Sequence, residues 1–188
     1  MNKQKLIAAV GIVLITTLIL AGNSFGQEGV THYGVKAGLV TPGEVTIEGL
    51  GSDDGDISYS FGGFLDYGLA AKLSGGLSLD LHNAKYGEFS KTLIDFSLTL
   101  KALVSRPEAS TKIRPGIALG YGAMGATDND EDGTKYFLVK AGVELLFDRG
   151  QGPDWLGELA VFGAPSGGND AASVTFGPGL ILRAGIQF

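Results

Sequence analysis

The chain closes on LILRAGIQF, residues 180–188, and this stretch decides the fold. Leu180, Leu182, Ala184, Ile186 and Phe188 share one face of an extended strand, while Ile181, Arg183, Gly185 and Gln187 share the other. One face is continuously apolar and ends on an aromatic ring. The opposite face carries a charge, an amide and a glycine. A frayed tail has no such order, so the ending reads as a strand with one greasy side.

The same period of two recurs upstream, and no run of helical period competes with it. Residues 31–40, 57–67, 72–82, 93–104, 112–123, 136–147 and 155–164 each alternate, and the closing strand, starting near Val174, makes an eighth. The run at 72–82 shows it plainly: Leu73, Gly75, Leu77, Leu79 and Leu81 oppose Lys72, Ser74, Gly76, Ser78, Asp80 and His82. These lengths suit a tilted strand crossing a bilayer, which needs about 9–11 residues. Polar connections at 41–56, 83–92, 124–135 and 165–173 alternate with shorter turns at 68–71, 105–111 and 148–154. Four loops on one side, with three turns and both termini on the other, predict an all-β, eight-stranded, antiparallel up-and-down barrel.

Composition narrows the class. Residues 1–5 carry Lys3 and Lys5, residues 6–20 are almost wholly apolar, and Ser24-Phe25-Gly26 offers small residues for cleavage before Gln27. Residues 1–26 are therefore expected to be a signal peptide, and 27–188 the barrel domain. The chain has no cysteine, so packing or the membrane must hold the exported fold. Loss of Lys3 and Lys5 takes the formal charge from -6 to -8, which argues against nucleic acid as a partner. Glycine supplies 31 of 188 residues without a collagen period. Many of these glycines fall on the polar strand faces, where a narrow eight-stranded lumen leaves little room.

Aromatic positions indicate which face is outside. On the apolar face, Tyr33, Tyr67, Phe147, Trp155 and Phe188 fall near the turn end, and Tyr59, Phe61, Phe96, Tyr121, Phe137 and Phe176 toward the loop end. Two aromatic girdles around an aliphatic band are what headgroup contact selects. A soluble lipid carrier, with its apolar face inward, has no reason to sort aromatics by height. The C-terminal pattern, with YGVKAGL at 33–39 and KIRPGIALGYG at 112–122, resembles the small outer-membrane β-barrel superfamily of OmpA-type and OmpX-type domains. That resemblance implies an outer-membrane location with periplasmic termini, contact with lipid and lipopolysaccharide, and Leu180, Leu182, Ala184, Ile186 and Phe188 as the signal read by the assembly machinery. Pro115 and Pro178 are expected at bulges or near strand ends.

The inward face carries the unusual chemistry. Lys36, Lys72, Lys101, Lys112, Arg114, Lys140 and Arg183 face Asp66, Asp80, Asp95, Glu144 and Glu158. This near balance predicts a paired network plugging the lumen, with Glu144 and Glu158 bonded to cations in the layer of Lys36, Lys101, Arg114 and Arg183. In the loop DNDEDG, Asp128, Asp130 and Asp132 match the start of a calcium loop, but Val139 stands where the bidentate Glu belongs, so a solvated loop tip is the expectation. Ser78 and His82 lie roughly 13 Å apart along one strand, too far to form a nucleophile and base. No cofactor motif appears. The reading is thus a non-enzymatic barrel with a structural or surface-interaction role, acidic loops outside and an extracellular partner that the sequence does not name. A narrow pore, a lipid-modifying enzyme and a soluble carrier are the alternatives.

Overall fold

A computed structural model describes residues 28–47, 51–86, 89–124, 134–150, 152–168 and 173–188. The expected signal peptide and the residues Asp128, Asp130 and Asp132 lie outside these. The strands in chain order are β1 (Thr31–Thr41), β2 (Val45–Ile47), β3 (Gly51–Asp53), β4 (Ser58–Ala70), β5 (Leu73–Tyr86), β6 (Phe89–Ala102), β7 (Thr111–Met124), β8 (Thr134–Phe147), β9 (Asp154–Gly168) and β10 (Val174–Gln187). Each long strand pairs antiparallel with its neighbour in the order β1-β4-β5-β6-β7-β8-β9-β10, and β10 returns to β1. The seam runs from Gly34 opposite Gln187 to Thr41 opposite Leu180. Phe188 extends it, exchanging both backbone hydrogen bonds with Tyr33 while the two rings stack at 5.4 Å. The eight long strands close an all-β barrel with no free edge in its wall.

The short strands prolong this wall beyond the loop end. β2 continues the line of β1 along β10, and β3 folds back on β2. The 83–92 connection is a correction to the sequence reading. It is almost entirely strand: Asn83 pairs with Thr92, Ala84 with Lys91, Lys85 with Ser90 and Tyr86 with Phe89. β9 likewise continues to Gly168.

Polarity inverts within single strands. Along β5, Leu77, Leu79 and Leu81 are exposed while Ser78, Asp80 and His82 are buried; past His82, Lys85 is exposed and Ala84 and Tyr86 are buried. The turn-side part of the barrel is thus apolar outside and mainly ionic inside, with Phe64, Leu146 and Leu156 as a small buried apolar cluster beside the ions. The loop-side part has Thr46, Lys85, Ser90, Thr92, Lys135 and Thr175 outside. Its interior packs Val40, Leu93, Leu138, Phe162, Phe176, Ile181 and others into one apolar core.

Three prolines lie in strands, each at an irregular position; Pro165 sits where the β8–β9 register slips, between Gly163 and Ser166. Pairing of β6 with β7 stops at Lys101 opposite Gly116, so Pro115 lies just past the ladder on that side. Pro178 lies in a bulge, where the β9–β10 register slips between Phe176 and Gly179. A bulge inserts one residue and reverses the alternation beyond it. Phe176 therefore points inward, 6% exposed against the Tyr136 ring, and is not part of the outer aromatic girdle to which simple alternation assigns it.

Candidate functional site: an ionic lumen beneath an apolar plug

Alternation aims one charged side chain from each of several strands at the axis, and glycine makes the room. Gly34 and Gly38 flank Lys36 on β1, and a Cβ at Gly185 would run into the Lys36 backbone and side chain at 2.8–2.9 Å. Lys36 reaches Glu144 at 3.3 Å and Glu158 at 3.1 Å. Glu144 also accepts from Lys101 at 3.0 Å and Arg114 at 2.9 Å. Lys101 continues to Asp66 at 2.7 Å. On the other side, Glu158 meets Arg183 at 2.6 Å, Arg183 meets Asp80 at 2.6 Å, and Asp80 meets Lys140 at 2.7 Å. All nine groups are buried, and they form one connected set.

Asp66 belongs to this set although the central sequence layer did not include it; its parity on β4 was the available signal. Asp95 is the converse. It stands beside Asp80 in register but accepts a hydrogen bond from the Tyr136 hydroxyl, with His82 Nε2 3.2 Å from its other oxygen, rather than from Lys or Arg. Gly122 explains this pairing. It faces Asp95 on one side and Tyr136 on the other, and a Cβ there would occupy the space of the Tyr136 ring. The absent side chain lets that ring lie across to the carboxylate. His82 itself stacks on Phe162, so the triplet marks the boundary between ionic and apolar interior.

At the turn end, Lys112 belongs to the rim. It pairs with Asp148 at 3.0 Å, and the Gly150 N–H, then Lys112, hold that exposed carboxyl below the usual carboxylate range. A cavity of about 360 Å³ opens here, lined by Lys72, Lys112, Arg114 and Gln187 among others. Arg114 forms its inner limit through hydrogen bonds to Glu144 and, at 2.8 Å, to Gln187. A second, smaller cavity of about 30 Å³, room for a single water, also touches Arg114, with Lys36, Lys101 and Thr99 around it. Among the described residues, no group of three or more His, Cys, Asp or Glu side chains could hold a metal.

Outside, Tyr33, Tyr67, Phe147, Trp155 and Phe188 are exposed near the turn end, and Tyr59, Phe61, Phe96 and Tyr121 toward the loop end, with Phe137 half-buried against Tyr121. Leu180, Leu182, Ala184 and Phe188 are exposed as well, and Ile186 is half-buried. A closed eight-stranded barrel with a greasy, aromatic-edged exterior and an ionic interior is a transmembrane β-barrel. Solved structures of the same kind are similar to it. The outer membrane protein OprG of Pseudomonas aeruginosa superposes with a TM-score of 0.54 at 11% identity, over 88% of this chain and 99% of that one. Neisserial surface protein A superposes with a TM-score of 0.54 at 12% identity, over 82% of this chain and 95% of that one. These likenesses place the chain with the small outer-membrane barrels by fold. No protein-family model and no curated protein sequence matches it.

Proposed function

We propose that this chain resides in the outer membrane of a Gram-negative-type bacterium, with its termini in the periplasm. There it serves a structural or surface-interaction role, as a closed barrel that lifts acidic loops above the membrane. The supporting observation is the pair of obstructions in series: the connected ion pairs of the turn-side lumen and the apolar core of the loop-side lumen. The described residues of the second pack as an apolar core that resists water, and ions would have to break desolvated pairs to pass the first. Acidic groups at the loop end, including Glu44, Asp53, Asp54 and Asp56, suit a cationic or cation-bridged surface partner. On this reading the C-terminal strand is what the outer-membrane assembly machinery reads, and lipid and lipopolysaccharide surround the wall.

Planar-bilayer recording of the purified, heat-modifiable protein tests the closed state: a silent trace is expected, and discrete openings would overturn it. The turn-end cavity of about 360 Å³ favours one second reading, a narrow pore whose gate is Arg114. Under that reading, Arg114→Ala alone would raise conductance. Under the closed reading it leaves the trace silent, because the apolar core still stands above.

A further inference from the structure

The exterior is not evenly packed. On the face formed by β9, β10, β1, β4 and β5, a groove of about 550 Å³ crosses the apolar belt. Its floor is made of small outward residues, Ala37, Gly63 and Ala184, and its walls of Phe61, Leu79 and Trp155. Register accounts for the hollow: Ala37 faces Ala184 across the seam, and Gly63 stands beside Val35 on the next strand. A Cβ built on Gly63 meets nothing nearer than the Gly34 carbonyl oxygen at 3.8 Å, so the hollow is open space and not concealed packing.

The groove runs between the two aromatic rims and is continuous with the lipid-facing belt. Its backbone polar groups are spent in the strand ladders, so only a hydrocarbon occupant suits it. The turn end adds a cation, Arg149, whose backbone N–H is held by the Asp154 carboxylate at 3.1 Å. Arg149 lies over the Trp155 ring, its guanidinium 6.0 Å from the centroid, where the groove wall reaches the headgroup level. A chain in the groove whose headgroup carries phosphate would bring that phosphate to Arg149.

We propose that this groove is a binding site for one glycerophospholipid of the leaflet at the turn end, with an acyl chain over Ala37, Gly63 and Ala184 and its phosphate at Arg149. The proposal rests on the exterior being lipid-facing.

Native mass spectrometry of the protein released from phosphatidylglycerol nanodiscs tests it. The wild-type barrel is expected to retain one phospholipid. Gly63→Leu fills the floor and should lower the retained fraction several-fold, through the van der Waals packing that the acyl chain loses there. Arg149→Gln should weaken retention without filling the groove, and Leu98→Ala, elsewhere on the belt, should leave it unchanged. Equal retention by wild type and Gly63→Leu would overturn the proposal, as would a lipid-free dimer. Heat-modifiable mobility, measured on each variant, separates the two levels: if wild type fails to enter bilayers at all, the lipid-facing reading itself has failed.

Discussion

Gly62 and Gly63 are consecutive and chemically identical, yet the barrel uses them in opposite ways. A Cβ at Gly62 would collide with the Asp80 carboxylate and come within 2.8 Å of Arg183, inside the ionic set; one at Gly63 points into the outer groove. Gly62→Val should therefore prevent assembly of the heat-modifiable form, while Gly63→Val should fold with stability within about 1 kcal/mol of wild type, since it adds surface residue bulk without strain. Urea titration in detergent compares the two. Glu144 is shared among three cations, accepting from Lys36, Lys101 and Arg114. Glu144→Ala leaves three buried cations short of a partner and is expected to destabilise by about 3–5 kcal/mol, whereas the intact network is itself worth much less than its Coulomb energy suggests. A loss below 1 kcal/mol in the same titration would mean that water already reaches the site. The sequence exposed the inward parity of these groups. It did not reveal Asp95 with Tyr136 and His82, because that contact depends on a ring crossing Gly122 from the next strand.

At the scale of elements, period two carried most of the wall, and its failures share one cause. The stretch 83–92 still alternates, but with Ala84 and Tyr86 inward and Lys85, Ser90 and Thr92 outward. A reading that follows one apolar face through the membrane sees that face turn polar and reports a loop. Phe176 fails for a neighbouring reason. The slip in β10 has a counterpart in the wall beside it, where Val40 and Val45 are both buried although five positions apart. Parity changes across two paired strands at one level, and neither strand alone betrays it. The chain has no cysteine, so single-cysteine variants report parity cleanly. A water-soluble maleimide should label cysteine placed at 175 or 178 and spare 174, 176 and 179. Labelling at 176 with protection at 175 would return Phe176 to the outside and remove the bulge.

The whole molecule is two barrels of opposite polarity sharing one wall. Near the turns, hydrocarbon lies outside and the ion pairs are sealed within; near the loops, water lies outside and the apolar core is within. The switch falls near the loop-side aromatics, where the surrounding phase changes. No local sequence rule sets this height, since it follows from where the solvent changes around the closed wall. It also explains how an acidic, cysteine-free chain holds its loop-side half together: that half has an ordinary packed interior.

Trp155 offers the most direct test of this arrangement, because it is the one tryptophan in the chain and is exposed at the turn-side rim. Its fluorescence is measured with the folded barrel in vesicles of phospholipids brominated at graded depths along the acyl chain. A membrane-embedded Trp155 gives strong quenching that is greatest for bromines nearest the headgroup and falls toward the bilayer centre. Emission indifferent to bromine at every depth, from a protein that stays folded and monodisperse without detergent, would contradict it.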